Sequence, residues 1–398
     1  MLSKIVLLFL AIISFSTCKP SAPSVDIPIP QFIQYELKSD SIGTIDGVTI
    51  FDGGYSALTF DEQGNLFALN DRGPNLDAEN HNGKPAKRFP IPSYSPAISR
   101  ILFDSGQVHL ARDIALRTPS GEFFTGLPIP TDNKKLSVEY ALDEDFEVIP
   151  NSELGIDSEG LIVIDSIAWV ADEYAPSILT FERAGMTFQS RYTPISSDAS
   201  AKLPSWLLNR QPNLGFEGLA YANGFLYAAL QGPLSPRGGD PKTPLVRILR
   251  INVENGNVRH FIYPLDSYKR KIGDLAMHPN GNLLVLEHGL PKRGEWSAEI
   301  YMVNLAQVNY ASEGALPAER FSDTPTALAG GLLVASKSLS LNLPAAGYPT
   351  ELRKPEGLAV DRNGRIYIIN DNDYGIDSPA NNGRAVETTT KSFLFVLP

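Results

Sequence analysis

The chain has 398 residues, 43% of them apolar, with 45 acidic against 34 basic side chains and a formal net charge of −11. That balance disfavours nonspecific attraction to nucleic acid or anionic lipid heads, and no basic run, zinc-ligand spacing, phosphate-binding glycine loop or dinucleotide fingerprint offsets it. The one cysteine excludes an intrachain disulfide and a thiolate metal cluster.

In chain order, Lys4 precedes the apolar run Ile5 to Ile13, too short for a mature membrane span but suited to the centre of a secretory signal. Ser14-Phe-Ser-Thr-Cys18 follows, and it resembles the lipobox of bacterial lipoproteins, with Ser16 and Thr17 small and Phe15 where leucine is usual. The expectation is a lipoprotein-type signal over 1–17, lipidation at Cys18, and a Pro- and Ser-rich tether over 18–33. Such a protein is exported and held on a membrane by its lipid, in the outer membrane or on its periplasmic face. A plain secretory signal with an incidental cysteine is the alternative.

Beyond the tether one unit recurs. A short apolar run opens on an acidic or hydroxyl residue, turns, and returns as a second apolar run ending in polar groups. The copies are Ser56–Asp61 with Phe67–Asp71, Glu159–Ile164 with Trp169–Glu173, Glu217–Tyr221 with Tyr227–Gln231, Asp274–Met277 with Leu284–His288, and Glu356–Asp361 with Tyr367–Asp371. β-branched and aromatic residues in both arms, joined by Asp-x-x-Gly or Asn-Gly, predict β-hairpins. Repeated hairpins at this spacing, without sustained helical periodicity, predict an all-β propeller over residues 34–398. The wide gaps from Ser56 to Glu159 and from Asp274 to Glu356 leave room for a diverged blade, giving about six blades, with five or seven as alternatives. Only Pro204–Asn209 reads as a short helical turn. Gln34–Ile45 and Lys391–Leu397 both read as strands whose pairing would close the ring and hide its edges.

In a propeller the first strand of each blade lines the channel, so equivalent positions face one another. That brings together Ser56, Glu159, Glu217, Asp274 and Glu356, with Asp71, Asp172, Glu173, Gln231, Glu287, Asn370 and Asp371 at the ends of the second strands. Clustered carboxylates repel at low dielectric, so their pKa values rise or a cation neutralises them. Oxygen-only donors suit calcium. Glu159, Asp172, Glu173, Glu217, Asp274, Glu356 and Asp371 are the candidate metal ligands. Glu159, Glu217 and Glu356, each before Gly-Leu, read equally well as braces between blades.

Basic residues follow the acids in several loops. Arg72, Arg237, Lys292, Arg293 and Arg384 form a candidate rim for a small anionic substrate such as a phosphate ester. Pairing with local aspartates is the simpler reading for each except Arg72, which directly ends a repeat strand. Asp71, Arg72, Glu287 and His288 are the catalytic candidates, His288 as acid or base because its pKa lies near working pH. The other histidines show no metal spacing. Asp157-Ser-Glu-Gly160 lacks the first glycine of a nucleophile elbow, so Ser158 is not expected to attack a substrate. Trp169, Tyr227 and Tyr367 read as core.

Ser56-Ala-Leu-Thr-Phe-Asp with Asn70-Asp-Arg-Gly73, Glu217-Gly-Leu-Ala, Gly273-Asp-Leu-Ala with Glu287-His-Gly289, and Glu356-Gly-Leu-Ala-Val-Asp with Asn370-Asp-Asn-Asp-Tyr-Gly375 resemble the esterase-like phytase, or phytase-like, family over about residues 50–392. The resemblance implies a propeller and a phosphoester hydrolase. The chain lacks the Asp-Ala-x-Asp-Pro-Ala motif of alkaline β-propeller phytases. The expected function is a monomeric, calcium-dependent phosphoester hydrolase. The alternatives are a lactonase or esterase of the gluconolactonase kind and a non-catalytic surface lipoprotein that binds a partner or glycan.

Overall fold

The structure is a computed structural model that describes residues 30–111, 114–130, 139–235, 242–291, 294–311 and 318–398. The signal, Cys18 and the tether up to residue 29 lie outside the described residues. Five sheets share one plan, antiparallel strands running from the channel outwards, four strands in four of them and five in the other. Blade 1 comprises Tyr55–Phe60, Leu66–Asn70 and Ala97–Asp104, with Gln107–Leu110 and the short Ile114–Ala115 on its outer edge. Blade 2 comprises Ser158–Ile164, Ile167–Asp172, Ser177–Glu182 and Thr187–Tyr192. Blade 3 comprises Phe216–Ala222, Phe225–Leu230, Leu245–Asn252 and Val258–Pro264, and blade 4 Arg270–Met277, Leu283–Gly289, Ser297–Val303 and Lys337–Asn342.

Blade 5 takes Pro355–Val360, Ile366–Asn370 and Phe393–Leu397 from the end of the chain and its outermost strand, Ile33–Glu36, from the beginning. Ile33 pairs with Val396 and Glu36 with Phe393, so the ring is closed by main-chain hydrogen bonds as the two terminal segments suggest. The first strand stops at Glu36, and Ser41–Ile45 turns away to pair with Val48–Phe51.

Each inner strand packs against the inner strands of the two adjacent blades, and the sequence 1-2-3-4-5-1 is complete. The propeller therefore has five blades rather than about six. The gaps that suggested another blade are insertions. One is a four-stranded sheet of Leu76–His81, Lys84–Arg88, Tyr140–Leu142 and Val148–Ile149. The other is the long connection between the last two strands of blade 4. The inserted sheet, the Ser41–Phe51 hairpin and the Ile376–Asp377/Val386–Glu387 pair share a small core of Ile45, Ile50, Leu76, Tyr374, Ile376 and Ala385. Arg88 stitches this cap: its buried guanidinium bonds Asp46 at 2.7 Å and the Gly383 carbonyl at 3.0 Å and lies over Phe146.

Apolar alternation on the strands becomes inter-blade core. Trp169 and Tyr227 are buried in one cluster spanning blades 2 to 4, and Tyr367 in another joining blades 5 and 1. Asp61 and Asp361 each accept two backbone amides of their own turns, which explains the Asp-x-x-Gly connectors. Ser205–Asn209 is a single 3-10 turn, as Pro204–Asn209 suggests. No described helix is long and apolar enough to cross a membrane.

Candidate functional site

Every inner strand carries a register shift near its first residues, between Tyr55 and Ala57, Ser158 and Gly160, Phe216 and Leu219, Ile272 and Asp274, and Pro355 and Gly357. The shifts mark β-bulges, which re-aim side chains at the end of a sheet. Aligned on them, the blades superpose Leu58, Leu161, Leu219, Leu275 and Leu358. The first ring of mouth residues is then Ser56, Glu159, Glu217, Gly273 and Glu356. A second ring, two residues earlier, is Gly54, Asp157, Gly215, Lys271 and Lys354. A third, from the returning strands, is Asp71, Glu173, Gln231, His288 and Asp371. The second and third rings are tied directly: the amides of Asp71, Glu173, Gln231 and Asp371 donate to the carbonyls of Gly54, Asp157, Gly215 and Lys354.

This alignment corrects the sequence reading at Asp274, which falls on the glycine position and not on the glutamate position. Its carboxylate lies on the axis, receiving the amides of Leu275 at 2.7 Å and Leu358 at 2.8 Å and those of Leu58 and Leu219 as well. Burial pushes this carboxyl up, against the opposing pull of its amide donors. Asp274 is a brace joining blades 1, 3, 4 and 5. The inner strands approach so closely here that a side chain does not fit. A Cβ on Gly218 would lie 2.5 Å from the Leu275 nitrogen, and one on Gly160 would lie 2.2 Å from the Glu217 carbonyl oxygen. The Glu-Gly-Leu repeat thus has three jobs: acid to the mouth, glycine for the narrow axis, and leucine for the core.

Strand alternation sorts the returning ends in the same way. Asp172 points away from the mouth and accepts the amides of Asp157 and Tyr174 and the hydroxyl of Ser177 at 2.7 Å. Glu287 is enclosed by Tyr263 of blade 3 and by Arg270 and Lys337 of its own blade 4. Neither has an oxygen to spare for a ligand at the mouth, so both expected roles, metal ligand for Asp172 and catalyst for Glu287, give way to bracing. Their chain neighbours Glu173 and His288 face inward.

Asp71, Asp157 and Glu159 each place a carboxylate oxygen within 4.8 Å of the others. Burial, reinforced by Asp157, pushes Asp71 up to about 8. Burial pushes Asp157 up to about 7 despite Arg72. Burial, then their acidic neighbours, holds Glu159 and Glu217 well above the usual range, and burial takes Glu356 to about 8. Glu217 accepts a 2.8 Å bond from Gln231, yet its second oxygen and one oxygen of Glu173 are buried with no hydrogen-bond partner among the described residues. Buried, unshared carboxylate oxygens on a multi-acid cluster are the donor set a hard divalent cation takes, so the residues present fit calcium.

The cations are distributed unlike the expected rim. Arg72 is buried, paired with Glu139 and Asp157 at 3.0 Å each and bonded to the Tyr174 hydroxyl at 2.7 Å. Burial opposes its charge, but Asp157, Tyr174 and Glu139 outweigh it and hold the guanidinium charged. Arg72 therefore positions the acids and is not a free substrate clamp. Arg384 is exposed and pairs with Asp46 of the cap at 3.0 Å. Arg237, Lys292 and Arg293 lie outside the described residues. Lysines missed in the sequence reading, Lys271 and Lys354, take two of the five second-ring positions, Lys354 bridging Asp371 at 2.8 Å and Asp373 at 2.5 Å. Ser158 bonds the Asn70 carbonyl at 2.8 Å and ties blade 2 to blade 1, a structural use.

Two clefts lie elsewhere. One of about 800 Å³, lined by Phe60, Arg100, Phe103, His278 and Tyr367, opens at the far end of the inner strands. Another of similar volume lies beside the cap, near Phe51, Asn372 and Thr388. Neither gathers acids whose pKa is raised, and the mouth is the chemically dense site.

A model of the phytase-like family, described as esterase-like activity of phytase, matches residues 51–374, a span that holds all three rings of the mouth. The chain belongs to the phytase-like family. No curated protein matches it. Among solved structures, this phytase-like chain is similar to the glutaminyl cyclase of Myxococcus xanthus, with 11% identity, 93% of this chain and 97% of that one covered, and a TM-score of 0.36. A PQQ-bound aldose sugar dehydrogenase from Streptomyces coelicolor is 11% identical, with 93% and 99% covered and a TM-score of 0.34. A streptogramin B lyase gives 11% identity, 92% and 98% coverage and a TM-score of 0.33.

The raised carboxyls of this phytase-like mouth have a consequence for stability. Between about pH 4 and pH 8 the folded protein holds protons that the unfolded chain has released, so its stability falls as pH rises through that window. In chelator, the melting temperature is expected to be lower at pH 8.5 than at pH 5.5. A melting temperature that rises across that interval would show the cluster to be ionised without penalty.

Proposed function

We propose that this protein is a calcium-dependent hydrolase of phosphate monoesters, working at the mouth of the propeller. The observation that carries this reading is the Asp71–Asp157–Glu159 cluster in a phytase-like chain, beside carboxylate oxygens that accept no hydrogen bond among the described residues. Asp71, Asp157 and Glu159 would hold the cation, which when bound supplies positive charge to a phosphoryl oxygen and acidity to a water. Arg72 fixes Asp157, and the Tyr174 hydroxyl and Glu139 fix Arg72.

Burial raises the carboxyls of Glu173 and Glu217, with Asp71 adding to the rise of the first and Glu173 to that of the second, so one can stay protonated while the other ionises. In hydrolysis a water oxygen bonds to phosphorus and the ester P–O bond breaks. The ionised glutamate takes the water proton, and the protonated one gives its own to the departing alcohol oxygen. Asp71, Lys271 and Lys354 are each partly exposed and mark the way in. The lactonase alternative needs no cation on the substrate side, and the lysines of blades 4 and 5 favour the phosphate ester. Export and lipid anchoring at Cys18 belong to the same proposal and rest on the sequence of residues 1–18. Turnover of p-nitrophenyl phosphate is expected to vanish in chelator and return with calcium. Turnover unaffected by chelation would overturn the metal dependence, and turnover of lactones alone would overturn the substrate class.

A further inference from the structure

Blade 4, like blade 1 with Ser56, adds no acid to the first ring. Where blades 2, 3 and 5 present Glu159, Glu217 and Glu356, blade 4 presents Gly273. A Cβ placed there would lie 2.7 Å from the Pro355 carbonyl oxygen and 3.4 Å from His288 Cδ2, the ring carbon bonded to Nε2. The imidazole edge therefore borders the bare backbone of Gly273, where the Pro355 carbonyl leaves no room for a side chain. His288 is buried, with 7% exposure, and its Nε2 has no hydrogen-bond partner among the described residues. Its cross-strand partner is Lys271. Lys271 acts electrostatically on Glu173, Glu217 and Glu356, yet it forms no ion pair among the described residues, whereas its equivalent Lys354 holds two aspartates. An unshared lysine beside an unshared buried imidazole, on a blade that adds no acid to the first ring, is a place prepared for an anion.

We propose that Lys271 and His288 form the subsite for the non-bridging oxygens of the phosphate group, with blade 4 facing the carboxylates of blades 1 and 2 across the mouth. This deepens the phosphoester reading and rests on it. Lys271 supplies charge, and neutral His288 supplies one directional hydrogen bond. Burial and then Lys271 hold the imidazole down at about 3, so it adds no second positive charge and does not act as an acid at neutral pH. The subsite selects a tetrahedral dianion and gives a neutral ester nothing to pair with.

The test titrates the whole protein with inorganic phosphate at submillimolar calcium, and separately with calcium, by calorimetry. Wild-type protein is expected to bind phosphate. Lys271→Met and His288→Ala should each weaken phosphate binding about 10- to 100-fold, the usual effect of one charge-assisted or buried hydrogen bond, while calcium binding persists. Lys271→Arg should recover most of the phosphate affinity, which distinguishes a lost contact from a misfolded blade. Absence of phosphate binding in the wild type, or unchanged affinity in a folded Lys271→Met protein, would overturn the proposal. Phosphate binding that depends on Lys271 in a protein that binds no calcium would support this subsite and overturn the metal reading alone.

Discussion

Replacing Asp274 by alanine is expected to destabilise the propeller by at least ~4 kcal/mol, because it leaves four buried amides without an acceptor at ~1–3 kcal/mol each. The amides belong to Leu58, Leu219, Leu275 and Leu358, so one substitution loosens four of the five blades at the axis. Most folded domains have only ~5–15 kcal/mol to lose, and much of the variant is expected to be insoluble. Asp274→Asn should be milder but still costly, since its amide nitrogen would face amide donors. Urea midpoints of both variants decide the matter. A loss below ~1 kcal/mol in the alanine variant would mean that water replaces the carboxylate and that the blades close without a brace.

Asp157→Asn is expected to lower phosphate-ester turnover more than ~100-fold, the scale of removing a ligand that supplies several kcal/mol of transition-state stabilisation. Folding should not suffer. Arg72 keeps Glu139 and the Tyr174 hydroxyl, and the cluster loses one mutually repelling carboxylate. The metal-free variant should therefore melt no lower than metal-free wild type, the pattern of a residue kept for activity at the expense of stability. An active variant, or an inactive one that melts far lower, would make Asp157 a brace like Asp172.

Much of the fold was legible because its unit is local. The Asp-x-x-Gly turns, the apolar arms and the acid before Gly-Leu in blades 2, 3 and 5 all lie within one hairpin. Blade number was not, because a four-stranded insertion in blade 1 and a long connection in blade 4 occupy the length of a missing blade. Among the acids of the site, the errors are errors of one residue. At Asp172-Glu173, Glu287-His288 and Asn370-Asp371 two polar residues are adjacent, and strand alternation sends them to opposite faces. Periodicity alone does not say which goes inward.

The bulge adds a second ambiguity, making Asp274 look equivalent to Glu217 when it stands where Gly218 does. Aligning the five leucines that follow would have exposed this, and it would also have placed Asp157, Lys271 and Lys354 at one position. Glu139 carries no such signal, because it lies in an insertion and reaches Arg72 only through the tertiary fold. Arg72 was singled out from its place after a repeat strand, but its burial depends on Glu139 and Tyr174, far from it in sequence.

The measurement that bears most directly on the account is a calorimetric titration of chelator-treated protein with calcium, for wild type and Asp157→Asn side by side. The account predicts saturable binding near micromolar affinity to the wild type, with proton release and a raised melting temperature, and little or none to the variant. Equal binding to both would place the ion away from Asp157, and no binding to either would leave the acids of the mouth as braces between blades.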